Sequence, residues 1–240
     1  MDTCTKADLP RPVLTVAGLQ RGFRRLLPVS ILIVPFGIAF GVAASKAGLT
    51  PAQAIAMSAL AFSGAAQFAA LDFWPGPIAF ASFTLVALAI NARHVVMGAA
   101  LSPWVNRLSP GRRLLSVVLL TDANFADTQP ALRQGERDLG ILVGGGFIVW
   151  LTWVAGTALG TLGGAVIGEP ATYGIDVVMA CFFAAVVVGM TAGQTDRIGA
   201  LIPVGAAVVA SVGTLTVLPV GWNVIAGALV GGAVAVVRHG

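Results

Sequence analysis

The chain has 240 residues, of which 57% are hydrophobic and only 10% charged, and its mean hydropathy is +0.91. A water-soluble domain carries about 25% charged residues, so these side chains cannot cover a surface facing water, and a bilayer must solvate the fold. The same figures exclude a disordered chain and a coiled coil, and two cysteines, Cys4 and Cys181, are too few for a disulfide-stapled domain. Both cysteines read as bystanders. The net charge of +4 does not point to nucleic acid, because lysine occurs only at Lys6 and Lys46 and the arginines sit in patches beside apolar runs. That is the pattern of membrane topology signals.

Residues 1–25 read as a basic cytoplasmic segment. It is expected to be retained rather than cleaved as a signal peptide, since it is long and carries Asp2 and Asp8. Residues 26–238 read as one transmembrane helical domain. Apolar runs near the membrane-spanning length fall at 26–45, 52–71, 77–101, 139–165, 174–193, 199–217 and 220–237. An eighth, 114–127, is short and interrupted by Asp122, Asn124 and Asp127. Proline and glycine mark the breaks, as in Trp74-Pro75-Gly76-Pro77, Ser109-Pro110-Gly111 and Glu169-Pro170. The fold class is therefore an all-α polytopic membrane protein with about six to eight hydrophobic segments.

Counting Lys and Arg by loop chooses between two topologies. If every segment crosses, loop 102–113 lies outside with Arg107, Arg112 and Arg113. If 52–71 and 114–127 instead dip in and return, the outside keeps only Lys46, and the inside collects the remaining loop arginines. The positive-inside rule favours the second arrangement. Two broken or re-entrant segments are expected, with both termini cytoplasmic. Two halves, 26–127 and 139–237, would suit an inverted repeat, although residue identity does not display one.

The 30 glycines repeat at intervals of four in Gly37/Gly41, Gly140/Gly144, Gly156/Gly160/Gly164 and Gly227/Gly231. On a helix this spacing makes a flat stripe that another helix can approach closely. Packing within the chain is one use of such a stripe. Docking of a separate membrane subunit on Gly156, Gly160 and Gly164 is the other.

An ionisable residue at membrane depth costs about 2.5–3.5 kcal/mol on insertion scales, which makes it a functional candidate. Asn91-Ala92-Arg93-His94 lies near the end of segment 77–101. Arg93 there either snorkels to the interface or holds a carboxylate, and its chemical complements are Asp122 and Asp127. Segment 52–71 carries Ser58, Ser63, Gly64 and Gln67, and a break at Ser63-Gly64 would free backbone groups at mid-membrane, where transporters bind substrate. Asp122 either exchanges a proton, binds an ammonium group or caps a short helix. Trp150 and Trp153 fall inside a segment, whereas Trp74, Trp104 and Trp222 read as interfacial belt residues.

No Walker A loop, no His-Glu-x-x-His and no Gly-x-Ser-x-Gly elbow occurs in the sequence. The chain is read as a non-enzyme that needs no cofactor or metal.

The stretches Pro35 to Gly41 (PFGIAFG), Ser58 to Phe68 (SALAFSGAAQF), Asn91 to Gly98 (NARHVVMG), Thr121 to Ala126 (TDANFA) and Gly174-Ile175-Asp176 before Phe182-Phe183 together resemble the AzlC family. The likeness runs in order from about residue 18 and thins after 190. Ala92 stands where the family usually has Leu, and Ala123 where an acidic residue often follows Thr-Asp. The resemblance implies an inner-membrane permease of branched-chain amino acids, generally regarded as an exporter, working with a small membrane partner, AzlD. The chemistry of the residues then assigns substrate binding to Ser63, Gly64, Gln67, Asn91 and Arg93, with apolar contacts at Phe62 and Phe68 and proton coupling at Asp122. An exporter or channel for another solute and a non-transporting assembly subunit remain alternatives.

Overall fold

The computed structural model describes residues 12–71, 73–74, 80–167, 196–218 and 222–239. The expected segment 174–193, both cysteines and the Gly174-Ile175-Asp176 motif lie outside the described residues. In chain order the helices are α1 (Val16–Lys46), α2 (Pro51–Leu60), α3 (Gly64–Leu71), α4 (Phe80–Val105), α5 (Pro110–Val118), α6 (Asp122–Arg133), α7 (Gly140–Ile167), α8 (Arg197–Gly213) and α9 (Trp222–His239). Val16–Lys46, Phe83–Val105 and Gly140–Gly163 are long and apolar enough to cross a membrane. The protein is an all-α membrane protein.

Helix α1 begins ten residues or so before the apolar run, because its first turn is satisfied by polar partners. The Thr15 hydroxyl accepts from the Gly18 amide at 3.0 Å, and Arg21 and Arg25 pair with Glu136 at 2.9 Å and Asp127 at 2.7 Å.

Helices α1 and α7 form the spine, and they run parallel. Gly18 and Gly22 face Asp138 and Ile141 near the start of α7, whereas Gly37 and Gly41 face Gly156 and Gly160 further along it. A Cβ on Gly156 would lie 2.7 Å from the Val34 carbonyl and 3.0 Å from Gly37 Cα, and one on Gly160 would collide with the Ile38 carbonyl. This backbone contact requires glycine on both helices. The expected use of the stripe by a partner subunit is corrected accordingly: α1 of the same chain covers Gly156 and Gly160. Gly164 continues α7 one turn further on.

The two short segments fold back on themselves, from opposite ends of the spine. Thr50 opens α2 with a capping box to Gln53. Helix α2 then runs along α7 against its direction: Ser58 Oγ lies 2.8 Å from Thr157 Oγ1, and Trp150 Nε1 donates to the Ala59 carbonyl at 3.0 Å. The helix breaks before Gly64, and α3 returns so that Phe68 packs edge-on against Phe40. Gln67 Nε2 reaches Ser58 Oγ at 3.2 Å. In a continuous helix those residues would be about 13 Å apart along the axis, so the segment is a hairpin.

Helix α4 runs antiparallel to the spine, from Asn91 beside Ser63 to Leu101 and Val105 packed against Leu139 and Leu142. Helix α5 starts at that end and reaches Leu119 beside Gly146, and α6 returns to pack Leu132 on Leu139. At 9 and 12 residues, α5 and α6 span about 14 and 18 Å, well short of a hydrocarbon core of about 30 Å. Both hairpin tips, at Phe62 and Ala123, pack on one cluster of Leu26, Ile148 and Val149 at the middle of the spine.

Units α1–α3 and α4–α6 thus share one plan in opposite senses: a long helix, then a helical hairpin. Their tips also match, with Ser63 followed by Gln67-Phe68 and Thr121 followed by Asn124-Phe125. The expected inversion between 26–127 and 139–237 is therefore relocated. Those halves open with α1 and α7, which are parallel, and the inversion lies within residues 16–133. Beyond the spine, α8 and α9 form an antiparallel pair, with Gly231 against Pro203 and Gly199 against Arg238. By these directions Arg21, Arg24, Arg25, Arg107, Arg112, Arg113, Arg133 and Arg137 gather at one end of the spine, and Lys46 lies at the other.

Gly160→Leu is expected to abolish a monodisperse, stable protein in detergent, with a cost at or above the ~1–3 kcal/mol typical of overpacking. Gly98→Leu on α4, where a Cβ meets nothing within 4 Å, should behave as wild type in the same chromatography and thermal-unfolding assays. Single cysteines at the exposed positions Ser109 and Gln134 should label from one face of the membrane, and one at Thr50 from the other. Labelling of position 109 and position 50 from the same face would contradict the two hairpins.

Candidate functional site

The two hairpin tips each meet the middle of α4, Ser63 at Asn91 and Asp122 at Arg93. Ser63 Oγ donates to Asn91 Oδ1 at 2.8 Å, and Asn91 Nδ2 donates to the Ala87 carbonyl at 2.9 Å, which fixes the amide's orientation. Two residues on, Arg93 Nη1 meets Asp122 Oδ2 at 2.5 Å. The apolar run alone puts Arg93 near the end of its segment, 77–101. In the structure α4 continues past position 101 because Val105 is buried with Leu120 and Leu139, so Arg93 stands about 12 residues, or ~18 Å, from either end of α4. That depth is too great for snorkelling, and an acidic partner takes its place.

Backbone electrostatics reinforce the pair. Asp122 is the first residue of α6, where the helix dipole favours a carboxylate. The turn is locked by a capping box: Thr121 N–H donates to Asn124 Oδ1 at 2.7 Å, and the Asn124 amide donates to Thr121 Oγ1 at 3.3 Å. Helix α3 also points its amino end at mid-depth. Its first N–H with a partner among the described residues is that of Gln67, on the Ser63 carbonyl at 2.9 Å. The earlier amides face the tip. The side chains of Arg93 and Asp122 are 43% and 46% exposed.

Gln67 does not belong to this set, which corrects its expected role in binding substrate. It is 1% exposed, its Oε1 accepts from Trp153 Nε1 at 2.8 Å, and its Nε2 donates to Ser58 Oγ. With both ends bonded, it ties α3 to α2 and α7 behind the tip. Phe68 likewise faces Phe40. Gly64 starts α3 against the Trp153 indole, where a Cβ would sit 2.8 Å from Cη2.

Three features escaped sequence reasoning. Thr157 links Ser58 to the Trp153 carbonyl, and its spacing of four from Trp153 was the available signal. Asn124 is fully buried and donates to the carbonyls of Leu119 and Leu142 at 2.7 and 2.9 Å, so it anchors the second tip as Gln67 anchors the first. The pattern T-x-x-N foretells the cap.

The third is a clasp at the arginine-rich end. Asp138 accepts from the Thr15 amide at 3.0 Å, the Thr15 hydroxyl, and the Gly140 amide at 2.9 Å. It thereby joins the starts of α1 and α7. Burial pushes the Asp138 carboxyl up, but the hydrogen bonds from Thr15 and Gly140 and the charge of Arg21 outweigh it and hold the group below the usual range. The Asp138 amide does most to lower Glu136; burial opposes it, and the Arg137 amide and Arg21 add to the lowering.

The family model described as AzlC protein matches residues 28–167, which contain both hairpins, α4, α7 and the part of α1 from residue 28 onward. The chain belongs to the AzlC family. It is 28% identical over 163 residues to inner membrane protein YgaZ of Escherichia coli, covering 67% of this chain and 66% of that one. A membrane protein of Archaeoglobus fulgidus is 28% identical over 149 residues, covering 62% and 64%. The chain thus spans just under two thirds of the length of these two relatives. The branched-chain amino acid transport protein AzlC of Bacillus subtilis is 26% identical over 197 residues, covering 80% and 75%. No solved structure matches. This AzlC-family chain is a lipid-embedded protein.

Gln67→Leu should cost about 1–3 kcal/mol by leaving the Trp153 N–H unpaired in the core, and thermal unfolding in detergent measures it. Both Asp138 and Glu136 titrate lower when folded, so their stabilisation is complete above the ordinary carboxylate pKa and is lost as pH falls through the lowered values. Asp138→Asn should flatten that acid-side loss in melting curves taken from neutral pH downwards.

Proposed function

We propose that this chain is the large subunit of an exporter of branched-chain amino acids such as valine, acting with a small AzlD-like partner in the inner (cytoplasmic) membrane. The observation that carries this reading is that two half-helix tips meet α4 at mid-depth, one bonding Ser63 to Asn91 and the other pairing Asp122 with Arg93. The printed name of the Bacillus subtilis relative supplies the substrate class.

In this reading the substrate carboxylate binds Arg93, assisted by the free amides at Gly64. The ammonium binds Asp122, and the apolar side chain lies against Phe62. Asp122 exchanges the proton that drives export. The arginine-rich end faces the cytoplasm, as the positive-inside rule requires, with both termini on that side. Since α1 occupies Gly156 and Gly160, the partner docks elsewhere.

Arg93→Gln should lower valine efflux from loaded cells at least tenfold at unchanged membrane abundance. The charge-neutral double variant Arg93→Gln/Asp122→Asn, which leaves no unpaired ion, should insert normally and be equally inactive. Normal efflux in both would overturn the site assignment.

A further inference from the structure

We infer that the Arg93–Asp122 ion pair is itself the receptor for an α-amino acid zwitterion, which opens the pair and bridges it, and that a proton and the substrate ammonium exclude each other on Asp122. This rests on the transport reading above and specifies how that site takes its ligand. The pair presents one cation and one anion in direct contact at 2.5 Å, the inverse of the two charges that an α-amino acid carries on neighbouring carbons. Insertion of the zwitterion replaces one ion pair by two without changing net charge, so nothing unpaired is left at low dielectric. The planar fork of arginine can hold a carboxylate by two nitrogens.

The surroundings assign the partners. Asp122 is fixed at the start of α6 by the Thr121–Asn124 box, whereas Arg93 is long and half-exposed, so opening moves the arginine. Among the described residues the nearby charged and titratable groups are Arg93 and His94 on α4, Arg25 on α1 and Asp127 on α6; α2, α3 and α7 carry none. Arg25 is engaged by Asp127 through both Nε and Nη2, at 3.1 and 2.7 Å, and His94 Nδ1 lies 3.3 Å from the Asn91 carbonyl. Asp122 is therefore the acid open to exchange.

Exclusion fixes the direction of coupling. A proton carried in on Asp122 leaves to the cytoplasm, the Arg93–Asp122 pair re-forms, and the substrate zwitterion then opens it. After release on the other side, Asp122 takes up a proton from there. One proton enters for each amino acid that leaves. If the substrate carboxylate took Arg93 while the ammonium bound elsewhere, the freed Asp122 would bind a proton together with substrate, and the same gradient would drive uptake.

The experiment is valine binding to the full-length chain in membrane vesicles and in detergent, across pH. Wild type should bind more weakly on acidification, by up to about tenfold per pH unit for one proton, and over the pH range where binding weakens it should release protons on binding in weakly buffered solution. It should not bind 2-methylpropylamine or 4-methyl-2-oxopentanoate, each of which lacks one of the two charges. Asp122→Glu should keep the linkage with a displaced pH profile, and Asp122→Asn should lose it. Valine binding that strengthens on acidification, takes up protons or ignores pH in wild type would overturn the inference, as would equal binding of the amine or the oxo acid. If wild type instead binds another amino acid class with this linkage, the zwitterion site stands and the branched-chain reading falls.

Discussion

The close parallel contact of α1 and α7 is the constraint on which the other elements depend. Parallel helices place two positive dipole ends side by side, each equivalent to about half a charge, which is unfavourable in isolation. Asp138 and Glu136 offset this where the helices start, with Asp138 accepting from both first turns. At the other end the Ser45 and Thr161 hydroxyls meet at 2.8 Å. Between these ends glycine brings backbone against backbone, so the relative height of the two helices cannot slide. Any hairpin that packs on this spine inherits a defined depth.

The hairpins use that depth. Each is too short to cross, each stops at the cluster of Leu26, Ile148 and Val149, and each is tied to α7 by one buried amide: Gln67 through Trp153 and Asn124 through the Leu142 carbonyl. Meeting from opposite ends, they direct two helix amino termini at α4, where Arg93 would otherwise be an unpaired charge in the membrane. The acid at the start of α6 answers it. Polar groups costly at this depth are thus tolerated because half-helices deliver their partners.

Much of this was legible from residue type and order. The break at Ser63-Gly64, the return of 52–71 and 114–127 and the pairing of Arg93 with an acid followed from the cost of charge in lipid and from the placement of arginine. Gln67 was misread because a polar side chain inside an apolar segment looks the same whether it faces a ligand or closes a core network. The glycine stripe was ambiguous for a similar reason: spacing shows that a helix packs there, without showing whose. The inverted units went unnoticed because their likeness lies in three residue types at each tip, too few to align by eye.

Composition alone determined the lipid environment, because no arrangement of 10% charged residues can hydrate this surface. Proline, glycine and cap residues determined where the helices start and stop, since these are local properties of the backbone. Tertiary structure decided the rest: that α1 and α7 are parallel, that α1 takes Gly156 and Gly160, that Gln67 bonds Trp153 while Arg93 bonds Asp122. These depend on which elements occupy the same depth, and depth is set by contacts between residues more than a hundred positions apart, as Ser45 and Thr161 are.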